Sequence, residues 1–158
     1  MPNPTIQVVA ATWEYGAAVA ANMRPADAAE VWALARHSPA EAVRRSLEIP
    51  GEAYAFLAGD EPLAVFGCAE TEVAEVGSPW LLGAEGVDRH ARKFLELGRS
   101  YVAHWAHEYT DLYNVVDARN ERSIDWLGRL GFVFDDPILI GLDGAPFLPF
   151  HLRRSDDV

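Results

Sequence analysis

Two apolar runs, Ala53 to Ala58 and Pro62 to Ala69, stand on either side of Gly59-Asp60-Glu61. A join that short leaves no room for a crossover, so the runs pair as an antiparallel hairpin with a polar turn. Whatever the chain folds into must be built around that pair, and the neighbouring segments are read by how they can add to it.

Before the hairpin, Thr5 to Thr12 carries the β-branched and apolar residues of a strand, and Glu14 to Asn22 is an Ala-rich helical stretch. Met23-Arg24-Pro25 opens a second helix, in which Pro25 suits the first turn and Ala28, Val31, Trp32 and Ala35 recur at helical spacing. Ser38-Pro39-Ala40-Glu41 starts a third, with Ser38 as cap. After the hairpin, Thr71 to Val76 is a polar connection and Gly77 to Gly83 a strand, with Pro79 expected at its start or on a sheet edge. Asp88 to Glu108 is the longest helix, its stripe of Phe94, Leu97, Tyr101, Val102 and Trp105 turned to a core and Arg92, Lys93, Glu96 and Arg99 to water. Leu112 to Asp117 is a strand, Asn120 to Leu130 a helix ended by Gly131, and Phe132-Val133-Phe134 a further strand broken by Asp135-Asp136-Pro137. Pro146-Phe147-Leu148-Pro149-Phe150 is expected as a last edge strand. This order predicts a mixed α/β (α+β) sheet, mostly antiparallel, of six to seven strands with helices on both faces, and a single domain over 1–158.

Composition narrows the partners. Thirteen basic against twenty-four acidic residues give a net charge of −11, which repels phosphate backbones and anionic lipid. Membrane is therefore not expected as a partner, nor is nucleic acid unless Arg pairs such as Arg44-Arg45 and Arg153-Arg154 form a local patch. Met1-Pro2-Asn3-Pro4 lacks the charged and apolar pattern of a secretory signal. Cys68, the only cysteine, lies in an apolar run and reads as a buried reduced thiol.

The segment Leu112-Tyr113-Asn114-Val115-Val116-Asp117-Ala118-Arg119-Asn120 followed by Ser123 and closed by Leu130-Gly131-Phe132 resembles the strand-helix-strand signature of the GNAT (acyl-CoA N-acyltransferase) superfamily. Met23-Arg24-Pro25-Ala26-Asp27, Gly77-Ser78-Pro79-Trp80-Leu81-Leu82-Gly83, the Asp117 to Phe132 block and Gly144-Ala145-Pro146-Phe147 together resemble the GNAT-like proteins of tailed phages, related to internal virion protein A of short-tailed phages. The resemblance implies a GNAT-like fold. It also implies an acetyl-CoA site on the backbone of Trp80, Leu81, Leu82 and Gly83 and at Asn120, although Asn120 reads equally well as a helix cap.

Two departures count against catalysis. Family enzymes hold the coenzyme A diphosphate on backbone N–H groups of a Gly-rich loop leading into the long helix, whereas here that stretch is Gly83-Ala84-Glu85-Gly86-Val87-Asp88-Arg89, with two carboxylates suited to a helix N-terminus. Where the family often carries a Tyr that protonates the leaving thiolate, this chain has Leu127, and the neighbouring Trp126 has only an N–H donor. Glu70, Glu72 and Glu75 are candidate bases or a solvated acidic loop. His104 and His107 are a candidate metal pair or, better supported, a solvated pair without a third ligand. The leading expectation is a virion-associated structural or assembly component with a degenerate acetyltransferase site and no cofactor, partnered by other proteins of a phage particle, in the virion or host cytoplasm. The alternatives are an active acetyl-CoA-dependent N-acetyltransferase and a module that binds coenzyme A without transfer.

Overall fold

In the computed structural model, which describes residues 3–154, the hairpin sits inside one seven-stranded sheet of order β1-β2-β3-β4-β5-β7-β6. The strands are β1 (Ile6–Ala10), β2 (Gly51–Ala58), β3 (Glu61–Glu70), β4 (Val76–Gly83), β5 (Asp111–Asp117), β6 (Val133–Phe134) and β7 (Phe147–Arg153). Helices α1 (Trp13–Ala21), α2 (Pro25–Ala35) and α3 (Pro39–Glu48) connect β1 to β2; α4 (Ala91–Glu108) links β4 to β5 and α5 (Glu121–Arg129) links β5 to β6. All neighbours are antiparallel except β4 and β5, so the expected mixed, mostly antiparallel sheet with helices on both faces is what forms.

Local chemistry sets the ends of these elements. Thr12 Oγ1 accepts from the Tyr15 N–H and Ser38 Oγ from the Glu41 N–H, each satisfying a first-turn donor that the helix itself leaves open. Asn120 does the same for the Ser123 N–H at the start of α5. Gly131 has φ of 99°, a conformation costly for residues with a Cβ, and it ends that helix. The long helix begins later than the sequence suggested: residues 85–90 form a 3-10 segment that tightens the entry to α4.

Two apolar cores lie on opposite faces. One joins Val19, Ala42 and Val43 of the first three helices to Ala55, Leu57, Val65 and Leu82 of the sheet. The other sets Phe94, Val102 and Trp105 of α4 and Trp126 of α5 against Phe56, Phe66, Leu112 and Phe150. Phe94 meets Phe56 and Phe66 edge-to-face with centroids 5.2 and 5.9 Å apart, a favoured geometry for aromatic quadrupoles. Cys68 is buried, and burial pushes its thiol up to about 12, as suits an inert core cysteine.

Two expectations about proline are corrected. Pro79 lies in the middle of β4, a central strand, and pairs with Cys68 of β3. It is tolerated because β4 and β5 are paired only at Val76↔Asp111 and Gly77↔Leu112, so by Pro79 no backbone acceptor on β5 is waiting for an N–H. The Pro79 carbonyl instead accepts from Asn114 Nδ2 at 2.8 Å. The final strand is likewise no edge: β7 inserts between β5 and β6, and the edges are β1 and β6. Pro149 fits because the two-residue β6 has already ended beside it, and its carbonyl accepts from the Asp135 N–H. No helix of the described residues is long and apolar enough to cross a membrane. Of the Met1-Pro2-Asn3-Pro4 stretch judged against a secretory signal, Met1 and Pro2 lie outside the described residues.

Candidate functional site

Because β4 and β5 share only two residue pairs, the sheet splits beyond Gly77 into a V-shaped gap. A cavity of about 220 Å³ runs through the gap. Its walls come from both faces: Glu30, Val31, Leu34 and Ser46 on the side of α2 and α3, and Leu97, Tyr101, Trp126 and Leu127 on the side of α4 and α5. Trp80, Leu81 and Leu82, expected from the family resemblance as ligand contacts, line it from β4.

Gly83 and Asn120, the other two expected ligand contacts, are placed differently. Asp27, at the start of α2, sends Oδ2 to the Gly83 N–H at 2.8 Å and accepts from Asn120 Nδ2 on Oδ1 at 3.0 Å, so one carboxylate spans the gap from the end of β4 to the cap of α5. Asn120 is 2% exposed, its Nδ2 donating to Asp27 and its Oδ1 accepting from Ser123, and is turned inward rather than toward a ligand. Its cap role is the one the geometry supports.

Arg24 completes the tie. Its Nε and one terminal nitrogen donate to the two Asp27 oxygens at 3.1 and 2.7 Å, and that same nitrogen donates to Ser123 Oγ at 2.9 Å. The other terminal nitrogen reaches Asp88 at 3.4 Å. The guanidinium carbon lies 5.0 Å from the centre of the Trp126 ring. Trp126 belongs to the core on the α4 and α5 face, while Arg24 starts from the opposite side, so the Arg24 side chain crosses the sheet through the gap. Burial by itself lowers the pKa of Arg24, and the Asp27 and Asp88 carboxylates more than offset it, leaving the guanidinium firmly charged.

Glu30, one helical turn beyond Asp27, accepts on Oε1 from the Asp117 N–H at 2.7 Å and from Asn120 Nδ2 at 3.4 Å. Burial pushes its pKa from 4.5 to about 7, with the Asp27 and Asp117 charges adding to the rise against those hydrogen bonds. Asp117 goes the other way. Burial would raise it, but Arg119 donates to it from both side chain and backbone and holds it below its ordinary value.

The remaining sequence candidates lie elsewhere. Glu70, Glu72 and Glu75 are exposed around the β3–β4 turn, where β4 and β5 are still paired, and none of them lines the cavity. His104 contacts Glu52, which also accepts from Trp105 and Tyr54; among the described residues no group of three potential ligands could hold a metal ion. Arg44 stacks on Trp13, Arg45 pairs with Glu41, Arg153 pairs with Asp111 and Arg154 donates to helix carbonyls, so these arginines are dispersed rather than gathered into a patch. Glu30, Arg24 and Asp27 were not singled out as site residues from the sequence. The available signal was an Arg-Pro-x-Asp opening to a helix, followed one turn later by an acid.

Three backbone donors at the end of β4 are already engaged and are not open to a coenzyme A diphosphate. The Gly83 N–H is taken by Asp27, and the Ala84 and Glu85 N–H groups donate to the carbonyls of Leu63 and Asn22. The Glu85 and Asp88 carboxylates flank the same stretch, Asp88 paired with Arg24 and Arg122.

The architecture is that of the GNAT acetyltransferases. Solved structures that share it include the aminoglycoside acetyltransferase AAC(6')-Ib in complex with ribostamycin and coenzyme A, at 17% identity and TM-score 0.68, with 95% of this chain and 94% of that one covered. A Bacillus subtilis acetyltransferase in complex with CoA matches at 13% identity and TM-score 0.64, over 95% and 98% of the two chains. The ribosomal-protein-S18-alanine N-acetyltransferase from Escherichia coli matches at 12% identity and TM-score 0.64, over 98% and 99%. At these identities the likeness is one of fold. No protein-family model matches the sequence, and no curated protein is significantly similar to it.

Proposed function

We propose that this chain is a GNAT-fold binding protein of the phage type, a virion-associated structural or assembly component whose acetyltransferase site is degenerate. The single observation that supports it most is the Arg24–Asp27 tie. Residues only 4% and 2% exposed lie across the gap between β4 and β5 and occupy the backbone donor at its end. Breaking a buried pair by withdrawing one partner costs about 3–5 kcal/mol, a heavy toll for admitting a cofactor. The same residues belong to Met23-Arg24-Pro25-Ala26-Asp27, one of the pieces on which the resemblance to phage proteins rests. On this reading the partners are other proteins of the particle, and the chain resides in the virion or the host cytoplasm.

Titration of the purified chain with acetyl-CoA up to millimolar concentration tests the reading. No heat of binding is expected; saturable binding accompanied by thiol release with an amine acceptor overturns it.

A second reading, an acetyl-CoA-dependent N-acetyltransferase, is favoured by Glu30. A carboxyl with a pKa of about 7 lining a cavity that opens through the sheet is suited to taking a proton from an ammonium acceptor. Proteins that share the fold include acetyltransferases solved with CoA, in one case together with ribostamycin. Under this reading thiol release from acetyl-CoA with a panel of amines is seen and is lost in Glu30→Gln. Saturable binding without any release marks the third possibility, a CoA-binding module.

A further inference from the structure

We infer that the extended segment Ile138, Leu139 and Ile140, which prolongs the β6 edge of the sheet, is a docking edge for a β-strand of another protein, one that alternates apolar with basic side chains. The first observation is backbone geometry. After β6 ends, the Asp135 N–H still donates to the Pro149 carbonyl, and Ile138 exchanges both of its backbone hydrogen bonds with Phe147 in an antiparallel bridge. Such a pair turns the N–H and C=O of the following residue away from the partner strand. Those of Leu139 therefore point out from the sheet, and neither has a hydrogen-bond partner among the described residues. An added strand satisfies them, as in recognition by β-augmentation.

The second observation is what this edge exposes. Leu139 is 73% exposed, more than any other large hydrophobic of the described residues, and Ile140 and Leu142 beside it are exposed as well. Arg36 pairs with Asp143 and lies 5.3 Å over the Trp32 ring, so the turn Leu142–Gly144 is held against α2 and exposed Trp32 joins the same flank. Apolar surface gathered in this way favours a partner over water. The opposite edge is unlike it: in β1 the exposed residues are Gln7 and Ala10. The third observation is charge, which selects the partner. From Leu130 to Phe150 the chain has three aspartates and no lysine or arginine. Asp135 pairs with His151 and Asp143 with Arg36, while Asp136 is exposed and has no ion-pair partner among the described residues. A strand carrying Lys or Arg complements these carboxylates. A second copy of this chain brings the same three acids to the contact, so like charges oppose self-pairing at this edge.

The edge gives the proposed binding role a surface, and its test does not involve acetyl-CoA, so either can fail while the other holds. Three end-capped heptapeptides are titrated calorimetrically into the full chain: one alternating valine and lysine, one alternating valine and glutamate, and the valine–lysine peptide N-methylated throughout, which keeps its charge and removes its N–H donors. Saturable binding of the valine–lysine peptide is expected, about tenfold or more tighter than either of the others. Asp136→Lys should weaken that binding about fivefold, whereas Asp60→Lys, the same change of net charge at the exposed turn between β2 and β3, should leave it as in the wild type. No binding of the valine–lysine peptide, equal affinity for its N-methylated form, or the same affinity in the two variants overturns the inference, and the first two results are read on the wild type alone.

Discussion

Glu30 gives the folded chain a definite response to pH. In the unfolded chain this carboxyl loses its proton near its ordinary 4.5, and in the folded chain only near 7. Between those values the unfolded chain holds fewer protons, so stability falls as pH rises, by about 3 kcal/mol for a single group shifted this far. Asp117, held below its ordinary 3.8, acts in a separate window and contributes stability that is lost as the pH falls through the most acidic range. Urea midpoints measured from pH 4.5 to 7 should decline in the wild type, and Glu30→Gln should flatten that decline. Arg24 tests the tie itself. Arg24→Ala strands the Asp27 charge in the interior and should cost about 3–5 kcal/mol in urea unfolding, whereas Arg24→Met combined with Asp27→Leu should cost less than Arg24→Ala alone, because no charge is then left without a partner.

At the scale of elements, close backbone approach limits what can change. A Cβ added at Gly67 in β3 would stand 2.0 Å from the Glu52 carbonyl oxygen and 3.0 Å from Ala53 Cα, both backbone atoms of the paired strand. Gly67→Ala should therefore push β2 and β3 apart and destabilise by about 3 kcal/mol or more, read as a lowered thermal midpoint. Asn120→Ala removes the cap of α5 together with the hydrogen bond to Asp27, and should cost about 2 kcal/mol or more, above the roughly 1 kcal/mol usual for a cap alone. The elements most legible from the sequence were those written locally. The hairpin turn, the Ser38 cap with Pro39, the stripe along α4 and the Gly131 stop each depend on residues a few positions apart. The place of β7 was not legible, since Pro146 and Pro149 suggest an edge and nothing local reveals that β6 stops after two residues.

At the scale of the molecule, the fold was readable from element order, and with it the strand that lines the cavity. Trp80, Leu81 and Leu82 drew attention because they belong to a strand motif, and they line the cavity. Arg24, Asp27 and Glu30 were missed because their roles come from partners 56 to 99 residues away, as in Asp27 with Gly83 and Arg24 with Ser123. Glu70, Glu72 and Glu75 attracted notice as a group of acids near the central strands, yet the tight turn that carries them projects them into water. Burial, not residue type, separates a solvated acid from one that titrates near neutrality.

The two cores also differ in when they can exist. Every buried residue of the first, from Val19 to Ala84, is encoded before α4 begins, whereas the second joins Phe56 to Phe150 and needs nearly the whole chain. During synthesis one face of the sheet can therefore close while the other still presents Phe56, Phe66 and Leu63 uncovered. The crossing of Arg24 must wait longer still, until Ser123 and Trp126 have emerged, so the residue that fastens the two halves together is made among the first and seated among the last.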